Sequence, residues 1–227
     1  MGAIPLHPLH REEIEYPDSD GQPMAESTLH RRVMSDLIEA LERRFEADPG
    51  VWVGGNLLLY YVEGNPRFSV SPDVLLAPVA KWDRPIYKLW EEGQPPRLVI
   101  EVTSSTTRRE DLGKKKDLYQ RLGVEEYILF DPLGDYLNPR LQGHRLQAGR
   151  YVPIALQPDG SLLSRVTGLI LRPEGDNLRL IDAETGERLL WVAELGAARR
   201  AAEERAQALE DEVARLRAEL ARNRRNP

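Results

Sequence analysis

Apolar positions fall at helical spacing early in the chain, where Leu29, Val33, Leu37, Leu41 and Phe45 recur every fourth residue with Met34 and Ile38 beside them. That period lays an apolar stripe along an amphipathic helix, which ends before Asp48-Pro49-Gly50. The pattern then changes to short, dense runs. Val51 to Val62, Asp73-Val74-Leu75-Leu76-Ala77 and Leu98-Val99-Ile100-Glu101-Val102 predict three strands, with a turn at Gly64-Asn65-Pro66 between the first two. Residues 81 to 96 form a connection rich in Trp, Pro and charge, long enough to be a lid or a contact surface. Thr107-Arg108-Arg109-Glu110 has the capping-box pattern and predicts a helix from Arg108 to Leu122, stopped by Gly123. Glu126 to Asp131, closed by Pro132, predicts another buried strand, so that strand, helix and strand form a crossover unit.

From Leu141 to Leu190, short alternating runs broken by Gly and Pro predict β-hairpins, including Gly149 to Ile154 and Asn177 to Asp182. Beyond Gly196 the composition turns to Ala, Glu, Arg and Leu. Leu195, Ala202, Leu209 and Leu216 lie seven apart, and Ala206, Val213 and Leu220 fill the alternate core positions of a short coiled coil. Arg199 at a core position and the Ala-rich half weaken that seam, leaving a homodimer joined by the tail and a lone solvated helix as alternatives. The expected organisation is an irregular lead-in over 1–26, one α/β (α+β) domain over 27–195 and a helix over 196–227.

Composition narrows the chemistry. The chain of 227 residues has no cysteine and four scattered histidines, so a thiolate nucleophile and a zinc–thiolate site are excluded and any metal is held mainly by oxygen. The net charge of −6 divides unevenly. Residues 197–227 carry eight Arg against six acids, leaving 23 basic and 31 acidic side chains in the body. A chain of that balance does not coat nucleic acid indiscriminately, although a local basic patch remains open to it. No charged start followed by an apolar stretch opens the sequence and no run approaches a membrane span, so a soluble cytoplasmic protein is expected. No Gly-rich loop ending in Lys-Ser or Lys-Thr supports nucleotide triphosphate chemistry, and no Ser lies in a nucleophile elbow.

Two carboxylates stand out. Asp73 opens one predicted strand and Glu101 interrupts the apolar run of another, so adjacent strands would present both at one sheet edge, where oxygen ligands suit Mg²⁺. Taken alone, Asp73 also fits a strand-opening turn and Glu101 an edge residue facing solvent. On the following helix Asp111, Lys115 and Tyr119 share a face, and Lys115 can reach the sheet edge or form an ordinary surface ion pair with Asp111. Arg108, Arg109, Lys114, Lys115, Lys116 and Arg121 make this the most basic stretch of the body, which places candidate nucleic-acid contacts at Arg108, Arg109, Lys114 and Lys116. Glu26 and His30, one turn apart, suit a supporting acid and proton carrier, or simply a helix-start acid and a surface histidine.

The ordered string Ser71-Pro72-Asp73, Ile100-Glu101-Val102-Thr103-Ser104, Arg109-Glu110-Asp111, Lys115, Tyr119, Gly123-Val124, Glu126-Tyr127 and Phe130-Asp131-Pro132 resembles the Uma-type restriction endonuclease family, a branch of the PD-(D/E)xK nucleases. The resemblance spans about residues 27–171. It implies a restriction-endonuclease-like core, a mixed sheet flanked by helices, and cleavage of DNA phosphodiester bonds with Mg²⁺ or Mn²⁺. Carried over residue by residue, it makes Asp73 and Glu101 the metal-binding acids, with the Val102 carbonyl as a further ligand. Thr103 stands where the general motif has its Lys, and Lys115 occupies the place from which Uma-type sequences supply that charge. The competing expectation is a catalytically silent DNA-binding or adaptor module that oligomerises through its C-terminal helix.

Overall fold

The computed structural model describes residues 14–19 and 27–223, with side chains described as far as Arg217. In chain order its elements are α1 (Thr28–Arg44), β1 (Trp52–Gly54), β2 (Leu58–Tyr60), β3 (Ser69–Val70), β4 (Val74–Ala77), β5 (Ile86–Lys88), α2 (Leu89–Glu92) and β6 (Leu98–Val102). There follow α3 (Arg108–Glu110), a π-helical turn (Asp111–Lys115), α4 (Lys116–Leu122), β7 (Glu126–Phe130), β8 (Leu141–Gln147), β9 (Arg150–Pro153), β10 (Leu162–Ser164), β11 (Leu169–Glu174), β12 (Asn177–Asp182) and α5 (Val192–Asn223).

A six-stranded mixed sheet ordered β1-β4-β6-β7-β8-β9 forms the centre. Only β6 and β7 run parallel in it, because the α3–α4 segment crosses over between them. Alternation along the strands divides the core in two. Val74, Leu76, Leu98, Ile100, Val102, Ile128 and Phe130 pack with Val33, Leu37 and Leu41 of α1 and with the antiparallel sheet β10-β11-β12. Leu75, Val99, Tyr127 and Leu129 face the other way, against Tyr119 of α4 and against Leu59 and Tyr87 of the small sheet β3-β2-β5. The sheet is thus covered on both faces, and Glu101, one residue out of phase with Ile100, falls on the α4 side.

Several local expectations shift. The run from Val51 to Val62 is two strands in two sheets, since the backbone turns at Gly55 and at Asn56, whose φ is 52°. A Cβ on Gly55 would lie 1.9 Å from the Asp73 carbonyl, so only glycine allows this crossing. The connection over residues 81–96 is packed structure rather than a lid. Its β5 runs parallel to β2, and the Arg84 guanidinium lies 4.5 Å from the ring centroids of both Trp52 and Trp82 while bonding Glu92 at 2.7 Å. At the start of α3, Thr107 does not cap with its side chain. The reciprocal bonds form one turn earlier, from Ser104 N–H to Thr107 Oγ1 at 3.1 Å and from Thr107 N–H to Ser104 Oγ at 3.3 Å.

At the other end of the body, Trp191 is buried and its backbone N–H donates to Glu194 at 2.8 Å, while Arg179 bonds the same carboxylate. These contacts start α5 at Val192, ahead of the change in composition at Gly196. From residue 197 to 217 all but Ala201 and Glu212 are exposed. Among the described residues, no helix is long and apolar enough to cross a membrane.

Candidate active site

The register of β4 against β6 pairs Val74 with Ile100, so the next step brings Asp73 beside Glu101. The two residues interlock: Asp73 N–H donates to Glu101 Oε2 at 3.3 Å, and Val102 N–H donates to Asp73 Oδ2 at 2.7 Å. Gly55 passes directly over the Asp73 carbonyl, and Asn56 N–H bonds the Pro72 carbonyl at 2.8 Å, which fixes the chain where it enters β4.

Lys115 reaches this edge from the π-turn. Its Nζ lies 2.9 Å from Glu101 Oε2 and 3.3 Å from Asp111 Oδ1, and donates to the Ser71 carbonyl at 3.4 Å. The Asp111 contact is a buried ion pair within one helical segment. Asp111 and Glu101 are almost wholly enclosed, whereas the Asp73 and Lys115 side chains each retain 15% exposure. The Asp111–Lys115 pair is therefore part of a buried cluster and not a wet surface contact. The π-turn gives a wider backbone ring between the two residues than an α-turn would, and Tyr127 OH supports it by donating to the Asp111 carbonyl at 2.9 Å.

Further side chains orient the acids. Tyr119 OH donates to Glu101 Oε1 at 2.9 Å, so both Glu101 oxygens are engaged. His30 Nε2 lies 3.1 Å from Asp73 Oδ2, held there by the first turn of α1, where Ser27 Oγ accepts from His30 N–H. Thr103 is buried beside the pair, and its hydroxyl has no hydrogen-bond partner among the described residues. It cannot supply the charge of a lysine. Glu26 lies outside the described residues.

Burial dominates the electrostatics. It pushes the Glu101 carboxyl up to about 8, with Lys115 opposing and Asp73 adding to the rise. The Asp111 carboxyl is raised for the same reason, again against the pull of Lys115. Burial alone would depress the Lys115 ammonium, but Glu101, Asp111 and Asp73 together outweigh it and hold the group above its ordinary range. The buried Tyr119 phenol is raised too, which keeps it a donor to Glu101.

A cleft of about 580 Å³ opens on Lys115 and is also lined by Tyr61, Ser71, Glu110, Lys114 and Arg121. Lys114 is exposed on its wall and Arg108 and Arg109 are exposed on α3, whereas Lys116 turns to β8 and sits 2.9 Å from His144 Nε2. Burial and that ammonium lower His144 to about 4. A hollow of about 400 Å³ between Phe45, Trp52, Lys81 and Trp82 shares no residue with the acidic cluster. Among the described residues, no three His, Asp or Glu side chains form a ready metal cage. Two carboxylates completed by backbone oxygen, water and a phosphate are, however, a donor set that Mg²⁺ commonly accepts.

Asp131 is a buried acid whose part the strand pattern left open. It accepts from the backbone N–H groups of Leu133, Gly134, Tyr136 and Leu137 and shapes the loop between β7 and β8. Its position before Pro132 was the one available sign of a turn-forming carboxylate.

The chain is thus a mixed α/β fold with an acid pair and a lysine at the edge of its central sheet. The profile of the Uma2 family, described as "Putative restriction endonuclease", matches residues 6–174, and the chain belongs to that family. Among solved structures, it is similar to one described as a putative nuclease of the DUF820 family from Anabaena variabilis. The two are 14% identical, with a TM-score of 0.46 over 63% of this chain and 75% of the other. No curated protein matches the chain.

Proposed function

We propose that this protein is a Mg²⁺-dependent endonuclease that hydrolyses DNA phosphodiester bonds. The observation that carries the reading is the meeting of Asp73 and Glu101 across adjacent strands with Lys115 Nζ 2.9 Å from Glu101. Membership of the Uma2 family supports the reaction class.

Asp73 and Glu101, with the Val102 carbonyl, would hold Mg²⁺ or Mn²⁺. When bound, such an ion lowers the pKa of its water and neutralises charge on phosphoryl oxygens. The protein's own groups do the rest. Tyr119 and Asp73 N–H aim the Glu101 carboxylate, while Val102 N–H and His30 aim that of Asp73. Lys115, kept cationic by the acids around it, orients the attacking water and stabilises charge developing on the phosphoryl group. Lys114 on the cleft wall, with the exposed Arg108 and Arg109 of α3, binds the DNA backbone.

One observation favours a second reading. The Lys115 ammonium already lies against both Glu101 and Asp111, and Thr103 offers no substitute cation, which suits a silent DNA-binding module. Cleavage of plasmid and single-stranded DNA with Mg²⁺, Mn²⁺ or EDTA separates the two. Metal-dependent cutting by the wild type, lost in Asp73→Ala, Glu101→Ala and Lys115→Ala, is the expected result. Mg²⁺ and DNA binding without turnover by folded wild type would replace the nuclease reading with the binding module.

A further inference from the structure

Beyond Gly196, α5 presents its large apolar side chains to solvent on one face: Leu209 is 67% exposed, Val213 44% and Leu216 47%. Apolar groups this exposed at spacings of four and three are the seam of a coiled coil rather than part of the body's core. We propose that this face pairs with the same face of a second copy of the chain, as a parallel, in-register, two-stranded coiled coil.

The charges beside the seam select both the occupant and its direction. With Ala206 and Val213 at the first core position of each heptad and Leu209 and Leu216 at the second, Arg205 and Glu212 precede the seam while Glu210 and Arg217 follow it. In a parallel pair each residue just before a first core position faces the one five positions on in the other strand. Arg205 then meets Glu210 of the second copy, and Glu212 meets Arg217, so both pairs attract. Reversing one strand about the Leu209–Val213 layer brings Glu210 against its own copy and Glu212 against its own copy, and both contacts repel. Val at the first position with Leu at the second also favours two strands.

The consequence bears on the proposed activity. α5 leaves the body at Trp191 and runs for 32 residues, about 48 Å at helical rise. A parallel seam therefore gathers two bodies at one end of the coil, where two clefts can engage one duplex. An antiparallel seam would hold them at opposite ends. The seam itself does not depend on the nuclease reading; only this use of it does.

The chain contains no cysteine, so single cysteines report direction cleanly. Sedimentation of the full chain over a concentration series is expected to show monomer giving way to dimer, and Leu209→Glu with Val213→Glu is expected to abolish the dimer while leaving the body's thermal transition in place. Under oxidation, Ala206→Cys and Leu216→Cys are each expected to cross-link to themselves. Monomer at every concentration, or a dimer that survives the paired Glu substitutions, would overturn the seam. Cross-links that form only when the two cysteine variants are mixed would overturn its parallel direction. None of these measurements reads cleavage, so an inactive protein would not affect them.

Discussion

At the scale of single residues, Glu101 is a carboxyl set into a fully buried strand, and its ionised form loses solvation that Tyr119, Asp73 N–H and Lys115 only partly replace. Such a placement does nothing for folding that a neutral side chain could not do. Glu101→Gln keeps the shape and one acceptor, so in EDTA it should unfold within about 1 kcal/mol of wild type at pH 6, by urea titration. Cleavage by the same variant should fall by at least about 100-fold. The pH dependence has a definite sign. The folded-state pKa of Glu101 is raised, so its contribution to stability is fully present below the ordinary 4.5 and is lost as pH climbs through about 8. In EDTA the wild type should therefore weaken relative to Glu101→Gln across that window, and a constant difference would contradict the burial argument.

At the scale of elements, the approach to α3 depends on a pair of side chains one turn before the motif that announces it. Ser104 and Thr107 each accept the other's N–H, and their hydroxyl oxygens also bond one another at 3.1 Å, so removing either hydroxyl takes a partner from the other as well. Ser104→Ala and Thr107→Ala should each lower stability by about 1 kcal/mol, and the double variant should lose clearly less than their sum. Additive losses would mean that the two caps act independently. The strand and helix pattern was legible wherever periodicity is local: α1, β4, β6, β7 and the crossover all follow from apolar spacing. What periodicity could not carry was contact at long range. The break at Gly55 is set by the close approach of the Asp73 backbone and β5 by pairing with β2, and the π-turn over Asp111–Lys115 has no mark in the apolar spacing. Asp73, Glu101 and Lys115 could be grouped from the sequence only through the family resemblance, because Asp73 alone also fits a strand-opening turn and Lys115 alone an ordinary surface pair with Asp111. The burial of Asp111 could not be read there, since its spacing to Lys115 is also that of an ordinary surface pair.

At the scale of the whole molecule, the proposed DNA cleavage requires an acidic body to meet a polyanion, and the basic side chains of the α3–α4 segment are the candidates for that contact. Its cations are not equivalent. Lys114 is exposed on the cleft wall and Arg108 and Arg109 are exposed on α3, whereas Lys116 is half-buried against His144. Each exposed cation that neutralises a phosphate releases condensed counterions, so its loss lowers the salt slope of duplex binding by about 0.9, whatever the DNA sequence. Arg108→Ala, Arg109→Ala and Lys114→Ala should each flatten the slope by about that amount, measured by anisotropy in EDTA so that no cutting intervenes. Lys116→Ala should leave the slope unchanged and instead relieve the depression of His144, whose pKa near 4 should move toward its ordinary 6.5 in an NMR titration. A slope altered as much by Lys116→Ala as by Lys114→Ala would mean that the DNA path crosses β8 instead of the cleft at Lys115.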